Sequence, residues 1–317
     1  MKNETEILKG LVIRSSRNIM TVRVETDEGS RELECRIKGK VLKGSENVYN
    51  PIAPGDYVTV EREKNADTAM ILGIEERRNL FSRFNQKGGN SQLLAANVDL
   101  VLCLCTPVSP PFRPRFLDRI LLQADIADIE AVVVCNKIDL EYDDIDIDER
   151  LEEYRHIGYK LINVSAKTGE GIKELKKGIA GKICVLAGQS GVGKSSLINA
   201  LSPGLDLKEG ELNEKFDRGV HTTVMSNMFE LEDGIRIIDT PGVRRFIPDG
   251  IESDEVAAYL REFSPLAGKC SFGLSCSHRR ERGCKIMEAV HAGIIHEDRY
   301  ESFLRIMDDL DGKRDDD

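Results

Sequence analysis

The stretch "GQSGVGKSS", residues 188–196, has the residue types and the spacing that bind phosphate groups. It follows the apolar run "KICVLA" and leads into an amphipathic stretch, the strand-to-helix context that a phosphate-binding loop requires. The glycines let backbone N–H groups turn around a β-phosphate, where the helix N-terminus adds partial positive charge. Lys194 can bridge two phosphates, and Ser195 can ligate Mg²⁺. We predict that the loop binds nucleotide phosphates through Gly188, Gln189, Ser190, Gly191, Val192, Gly193, Lys194, Ser195 and Ser196.

Two further loops have residue types that read guanine. The first follows the apolar run "AVVVC" and consists of Asn136, Lys137, Ile138 and Asp139. Asp139 would accept hydrogen bonds from N1 and the exocyclic amine of the base, while Asn136 and the aliphatic stem of Lys137 would hold its edge and face. One strand-helix unit later, a second loop supplies Ser165, Ala166 and Lys167, whose backbone would approach the base. The second loop alone is weak evidence, but its position one strand-helix unit after the first is strong evidence for GTP as the ligand.

Residues that could sense the γ-phosphate lie near the end of the strand-like run "RIID". Asp239 would hold Mg²⁺ through water, and the N–H of Gly242 would meet the γ-phosphate. A threonine of the preceding stretch "GVHTTV" would close on Mg²⁺ and the γ-phosphate. Thr223 is the first choice for this role and Thr222 the second.

The residue after "DTPG" is Val243, at the place where Ras-like enzymes use a glutamine to orient the attacking water. Valine cannot hydrogen-bond a water molecule, so we expect the isolated site to be a poor catalyst. His221 is the nearest polar candidate for positioning the water. The alternative is a loop histidine that only packs.

The order of these motifs is unusual, because both guanine loops precede the phosphate loop. This order predicts a circular permutation, which is tolerated where chain ends lie close together and the new ends fall in surface loops. As a consequence, the segment after "DTPG" leads directly into the C-terminal part of the chain.

A group of three cysteines and one histidine has the spacing C-x5-C-x-H-x5-C. Three thiolates and an imidazole complete a tetrahedron, so the set predicts a closed structural zinc site, with chance proximity of thiols as the alternative. The predicted ligands are Cys270, Cys276, His278 and Cys284. Nearby basic residues are candidate contacts to a phosphate backbone, although a solvated charge run would look the same; they are Arg279, Arg280, Arg282 and Lys285.

Composition is that of an ordinary soluble protein, with 40% hydrophobic and 32% charged residues among 317. No apolar run approaches the roughly 20 residues that span a bilayer, and the N-terminus lacks the apolar core of a signal peptide. We therefore expect a cytoplasmic protein without a membrane partner. The formal net charge of −10 means that the overall field does not attract nucleic acid. Cysteines in apolar runs, at positions 103, 105, 135 and 184, are predicted to be buried.

The predicted elements change along the chain. Residues 1 to about 75 contain five short strand-like runs, which suit an OB-fold barrel, although any small β-barrel fits the pattern. From about residue 95, apolar strands alternate with helical stretches, which predicts a parallel sheet covered on both faces. From about residue 250 the chain is predicted to be helical around the cysteine group.

Taken together, these motifs resemble the RsgA (YjeQ) family of circularly permuted GTPases that depend on the small ribosomal subunit. The stretches "NVDLVLCLCTPVSPPFRPRFLDRILL" and "CKIMEAVHAGIIHEDRYESFLRI" resemble that family too, and one cysteine gap is a residue longer than its pattern. The resemblance implies a multidomain α/β protein, with an OB-fold domain at 1–78, a permuted P-loop GTPase domain at 79–248 and a helical zinc-binding domain at 249–317.

The same resemblance implies a role in late maturation of the small subunit. GTP would be hydrolysed to GDP and phosphate, slowly alone and faster with the subunit, and His221 would be the catalytic histidine. The implied cofactors are GTP with Mg²⁺ and one structural Zn²⁺, the implied partners are the small subunit and its rRNA, and we expect a monomer.

Two functions from other classes compete with this interpretation. A metabolic P-loop kinase or ATPase would share the phosphate loop, but both guanine loops argue against it. An RNA-binding module with a structural nucleotide would share the barrel, but the threonines at 222 and 223 argue against it.

Overall fold

The structure, a computed structural model, describes residues 5–16, 19–38, 48–64, 66–86, 88–142, 145–205, 207, 226–240 and 245–312. Within these ranges, no helix combines the length and the apolarity that crossing a bilayer would require.

The N-terminal strands form a closed barrel. They are β1 (Thr5–Ser15), β2 (Met20–Thr26), β3 (Gly29–Ile37), β4 (Tyr57–Glu63) and β5 (Thr68–Ile74). β1 pairs with β2 and with β4, and the parallel pairing of β3 with β5 closes the circle through β4. Alternate residues such as Val22, Val58 and Val60 fill the interior. The predicted OB-fold barrel is confirmed.

The second region is a six-stranded sheet. Its strands are β8 (Leu100–Cys105), β9 (Glu130–Cys135), β10 (Lys160–Asn163), β11 (Ile183–Gly188), β12 (Ser226–Glu230) and β13 (Arg236–Asp239). The order is β10-β9-β8-β11-β13-β12, and all neighbours are parallel except β12, which runs antiparallel to β13. The predicted parallel sheet is therefore confirmed, with an antiparallel edge strand that the sequence pattern did not predict.

Helices cover both faces of this sheet. α1 (Pro114–Ile126) and α2 (Ile145–His156) pack on one face, while α3 (Ile172–Ile179) and α4 (Lys194–Leu201) pack on the other. Successive strand residues alternate between the two cores, because side chains along a strand point to opposite faces. Every residue of β8 and β11 is buried, which explains their continuous apolar sequence. The cysteines predicted to be buried in these runs are buried.

The barrel and the sheet are joined by strand pairing. The end of β1 pairs antiparallel with the start of β12, with Arg14 opposite Asn227 and Ser15 opposite Ser226. The two regions therefore share one continuous eleven-stranded sheet. A separate hairpin of β6 (Leu80–Asn85) and β7 (Asn90–Ala96) follows the barrel. Asp249 fastens this hairpin by accepting hydrogen bonds from the hydroxyls of Ser82 and Ser91.

The C-terminal region contains α5 (Val256–Tyr259), α6 (Lys285–His291) and α7 (Glu297–Asp311), connected by 3₁₀ turns. Its core includes Phe263, Phe303 and the three cysteines of the predicted metal site. The guanidinium of Arg299, only 1% exposed, joins this region to α1 by pairing with Asp118, and it also bonds Glu262 at 2.6 Å. Because both partners of this interface are charged and buried, separating them would leave uncompensated charge.

Candidate nucleotide-binding and metal-binding sites

The predicted phosphate loop connects the end of β11 to the start of α4. Gly191 and Gly193 have φ values of +84° and +90°, which only glycine adopts without strain. A Cβ atom on Gly188 would lie 2.9 Å from the carbonyl oxygen of Leu104, so that position has no room for a side chain. The glycines thus allow the tight turn that the sequence predicted.

A partly buried ammonium and a buried carboxylate lie at this loop. Lys194 Nζ donates to the carbonyl oxygens of Gly188 at 3.2 Å and Gln189 at 3.4 Å, and burial lowers the pKa of Lys194. Asp239 ends β13 and is 5% exposed, and burial raises its pKa to about 7. Its Oδ1 atom has no hydrogen-bond partner in the described part of the chain. An unpaired buried carboxylate oxygen next to a phosphate loop fits a site for Mg²⁺.

The side chain of Asn136 holds three loops together. Its Nδ2 donates to the carbonyl of Val192 at 2.9 Å, and its Oδ1 accepts from the N–H of Ala166 at 3.1 Å. Both guanine loops and the phosphate loop therefore meet at one buried amide, which is 1% exposed. The three motifs are brought to the same edge of the sheet, at the carboxyl ends of its parallel strands.

Lys137 reaches the phosphate loop as well. Its backbone has a φ of +64°, and its Nζ donates to the carbonyl oxygens of Ser109 at 2.6 Å and Gly191 at 2.8 Å. The sequence predicted a role for the stem of Lys137 beside the base, and it did not predict this anchoring of the ammonium group.

The predicted base-reading carboxylate is supported from the second guanine loop. Ser165 Oγ donates to Asp139 Oδ1 at 2.6 Å, and this hydrogen bond holds the pKa of Asp139 below its ordinary value. Ser165 Oγ also accepts from the N–H of Thr168 at 3.1 Å, and Lys167 Nζ lies 3.8 Å from Asp139. Asp139 therefore remains an ionised acceptor, as recognition of two base donors requires.

Sequence reasoning missed the loop after β8. The side chain of Gln189 donates to the carbonyl of Pro111 at 3.1 Å, and a Cβ atom on Gly191 would lie 3.6 Å from Pro110. The available signal was the proline-rich stretch "SPPFRP" directly after a strand whose carboxyl end lies at the same sheet edge.

The predicted γ-phosphate sensors lie outside the described residues. Thr222 and Thr223, the candidate His221, and the pair Gly242 and Val243 all belong to this group. Their roles stay predictions.

The predicted metal ligands are gathered in one place. The donor atoms of Cys270, Cys276, His278 and Cys284 all lie within 4.8 Å of one another. His278 Nδ1 is 3.5 Å from the sulfur of Cys270 and 3.4 Å from that of Cys284, and those two sulfurs are 3.9 Å apart. A tetrahedron with zinc–sulfur bonds of about 2.3 Å has edges of about 3.8 Å, so the set fits zinc.

Burial shapes the chemistry of this cluster. It raises the pKa of Cys276 to about 12 and lowers the pKa of His278. Burial raises the pKa of Cys284 as well, so the thiols of Cys276 and Cys284 would be protonated without a cation, whereas a bound divalent metal would favour the thiolates. The N–H of Lys285 donates to the sulfur of Cys270 at 3.2 Å, which would support a thiolate there.

The predicted basic group beside the cluster is partly engaged. Arg279 pairs with Asp308 at 2.6 Å and Lys285 with Glu288 at 2.6 Å, while Arg280 and Arg282 are exposed. Two apolar residues of the same loop also face solvent, because Phe272 is 60% and Leu274 is 83% exposed.

Comparisons with known proteins give matches to one family over most of the chain. The family model described as RsgA GTPase matches residues 74–247. A relative from Bacteroides thetaiotaomicron, named small ribosomal subunit biogenesis GTPase RsgA 2, is 39% identical over 306 residues, covering 95% of this chain and 97% of the relative. One from Chlorobaculum parvum, named small ribosomal subunit biogenesis GTPase RsgA, is 38% identical over 315 residues, covering 96% and 99%.

Solved structures are similar over nearly the whole chain. The crystal structure of YjeQ from Thermotoga maritima has a TM-score of 0.71 at 32% identity and covers 97% of this chain and 99% of its own. YloQ, described as a circularly permuted GTPase, has a TM-score of 0.67 at 25% identity, covering 97% and 96%.

Proposed function

Because the chain belongs to the RsgA GTPase family and is a circularly permuted GTP hydrolase, we propose that it acts in late maturation of the small ribosomal subunit. It would hydrolyse GTP to GDP and phosphate, with stimulation by that subunit. The names of the relatives support the ribosomal role. The observation that carries the proposal is the convergence of two guanine loops and a phosphate loop on Asn136.

GTP would bind across this junction. Asp139 would accept from the base, and the main chain around Ala166 would approach it, with Ser165 holding the carboxylate ready. Lys194 and the N–H groups of the phosphate loop would bind the phosphates. Mg²⁺, held through Ser195 and Asp239, would neutralise charge that builds on the β- and γ-phosphates.

Hydrolysis needs a group that positions water, and Val243 cannot supply one. We assign that role to His221, which binding of the small subunit would bring to the attacking water. Thr223, or Thr222 in its place, would close on Mg²⁺ and the γ-phosphate, and Gly242 would contact the γ-phosphate through its N–H.

The C-terminal cluster would hold one structural Zn²⁺ through Cys270, Cys276, His278 and Cys284. The exposed arginines beside it and the barrel would contact rRNA, so the acidic protein would meet nucleic acid through local patches. We propose that the protein works as a monomer in the cytoplasm, where its ribosomal partner is found.

The test is GTP turnover with and without purified small subunits, with large subunits as the control. We expect small subunits alone to raise the rate. His221→Ala should keep nucleotide affinity and subunit binding but lose most of the stimulation, since positioning groups of this kind contribute roughly 10²–10⁴-fold. Thr223→Ala should instead weaken Mg²⁺-dependent binding of a non-hydrolysable GTP analogue, and with it co-sedimentation with the subunit.

Each result has a direct interpretation. If the rate is the same with and without small subunits, the proposed role is wrong. If His221→Ala is stimulated as strongly as the parent protein, the water is positioned by another group.

A further inference from the structure

A cleft of about 740 Å³ lies outside the nucleotide site, between α1, α7 and the segment that follows "DTPG". We call it the arginine cleft. Its walls carry five arginines, namely Arg113, Arg115, Arg119, Arg245 and Arg305. It therefore lies where the nucleotide-binding region meets the C-terminal region.

The positive charge of the arginine cleft is only partly compensated. Arg119 and Arg245 share the single carboxylate of Asp309, at 2.6 Å and 2.5 Å. Arg115 and Arg305 likewise share the carboxylate of Glu301.

Two further aspartates line the cleft but are engaged outside it. Asp308 pairs with Arg279, and Asp298 lies 3.5 Å from Arg150. The side chain of Arg113 is exposed and makes no hydrogen bond or ion pair with the described residues. An excess of positive charge thus lies on one wall of an otherwise acidic protein.

Aromatic side chains form the rest of the cleft. Phe112 and Phe116 are half-buried and present ring surface to it, while the buried Phe246 forms its floor. Phe116 and Phe246 also line a narrow adjoining cavity whose other wall includes Gly188 and Thr240. The cleft is therefore separated from the phosphate loop by these two rings.

We propose that the arginine cleft binds an unpaired nucleotide of RNA, with its phosphate against Arg113 and its base against Phe112 or Phe116. Single-stranded RNA is recognised in this way, by arginine contacts to phosphate and stacking on aromatic rings. The rings of Phe112 and Phe116 offer a stacking surface that suits a nucleobase and not the side chains of an acidic peptide. The choice of RNA as the molecule that supplies this nucleotide rests on the proposed function.

The protein contains no tryptophan, so one introduced indole reports on a single place. Phe112→Trp puts that reporter in the cleft. Its emission is titrated with a short oligoadenylate, with a fully paired RNA duplex and with AMP. The nucleotide site is filled beforehand with a non-hydrolysable GTP analogue and Mg²⁺, so none of these ligands can act there.

We expect the oligoadenylate to quench the emission, and the duplex not to. Adding Arg113→Glu should raise the concentration for half-quenching by about 10-fold, because a charged contact to phosphate is replaced by repulsion. Arg155→Glu, on the exposed side of α2, changes the net charge equally and should leave quenching unchanged. Tyr259→Trp, which places the indole on α5 outside the cleft, should not be quenched.

Several results would overturn the inference. The first three are that the oligoadenylate does not quench the Phe112→Trp variant, that the duplex quenches it equally, and that Arg113→Glu has no effect. The fourth is that AMP binds as tightly as the oligoadenylate, which would assign the cleft to free nucleotides. Failure of the proposed function is separate, because it would appear as turnover that small subunits do not stimulate.

Discussion

The nucleotide pocket and the Cys₃His cluster both collect polar groups from loops, but they are supported differently. The pocket lies at one edge of a sheet with an apolar core on each face, and its loops are tied together by Asn136. The cluster draws its four donors from residues 270–284, where Phe272 and Leu274 face solvent.

This difference indicates how much each ligand contributes to the stability of the fold around it. The pocket can keep its shape without nucleotide, because buried apolar surface and hydrogen bonds already hold its loops. The loop of the cluster is held by hydrogen bonds, such as those that Glu281 accepts from Ser277 and Arg279, and its donors are themselves part of the C-terminal core, so a bound metal would add folding energy there.

Removing the metal should give the largest effect. Cys276→Ala, or a strong chelator, should release one zinc ion per chain and unfold the region around α6, since structural zinc contributes about 10–16 kcal/mol of binding free energy. Metal content and hydrogen exchange of the backbone of α6 measure this.

Cys35→Ala is the matched control, because Cys35 is also a buried cysteine but lies in the barrel. It should keep the zinc, and both variants should still bind GTP. If the metal-free protein kept full protection of α6 against hydrogen exchange, the cluster would not need its metal to fold, and the two sites would not differ in this respect.

Changing the base-reading carboxylate should give the next largest effect. Asp139→Asn should lower GTP affinity by roughly 10²- to 10⁴-fold and favour xanthosine triphosphate, because two base donors would face an amide. Thermal stability should change little, since an amide oxygen can still accept from Ser165. Competition binding with both triphosphates checks this, with Glu170→Gln as an exposed control in the same loops. Unchanged GTP affinity would mean that this loop does not read the base.

Removing the amide that joins the loops should affect the fold and the ligand together. Asn136→Ala should lower the free energy of unfolding by about 2–3 kcal/mol, because a buried carbonyl and a partly buried N–H lose their partner. GTP affinity should fall by about 10-fold as the loops separate. Chemical denaturation and nucleotide titration measure the two quantities.

Asn79→Ala is the control, because Asn79 makes the same two kinds of hydrogen bond to Val98. It should cost similar stability and leave GTP affinity unchanged. Equal affinity losses in both variants would show that Asn136 has no special place in the pocket.

The smallest effect should have the opposite sign. Asp239→Asn should stabilise the nucleotide-free protein by about 1–2 kcal/mol, because it removes a buried carboxylate with an unpaired oxygen. It should also weaken Mg²⁺-dependent GTP binding. Burial raises the folded-state pKa of Asp239 from 3.8 to about 7. The contribution of this group to the free energy of unfolding is therefore fully present below pH 3.8 and is lost as the pH rises from 3.8 through about 7.

The stabilisation by Asp239→Asn should therefore grow between about pH 4 and pH 7 and then level off. Melting temperatures across that range, without nucleotide or Mg²⁺, provide the measurement. If the difference in melting temperature between variant and parent were the same at all pH values, burial would not shift the pKa of this carboxylate.

Features encoded locally could be predicted from the sequence. The phosphate loop, both guanine loops, the cysteine cluster and most strands follow from residue types over short stretches. Pairings between distant segments could not be predicted, because no short pattern marks them. The contact of β1 with β12 involves only two residue pairs, and the arginine cleft exists only because α7 packs on α1. The anchoring of Lys137 was missed for the same reason, since its carbonyl partners belong to two other loops.

The pairing of β1 with β12 also has a consequence for synthesis of the protein. Translation releases β1 first, whereas its partner residues Ser226 and Asn227 emerge roughly two hundred residues later, and contacts of such high sequence separation form slowly. The permuted order delays the sheet too, because β11 at its centre is made after β8, β9 and β10. A nascent chain that ends before β11 therefore carries a closed barrel in which the end of β1 lacks its partner strand. It also carries part of a sheet in which the β8 edge is unpaired and open to wrong partners.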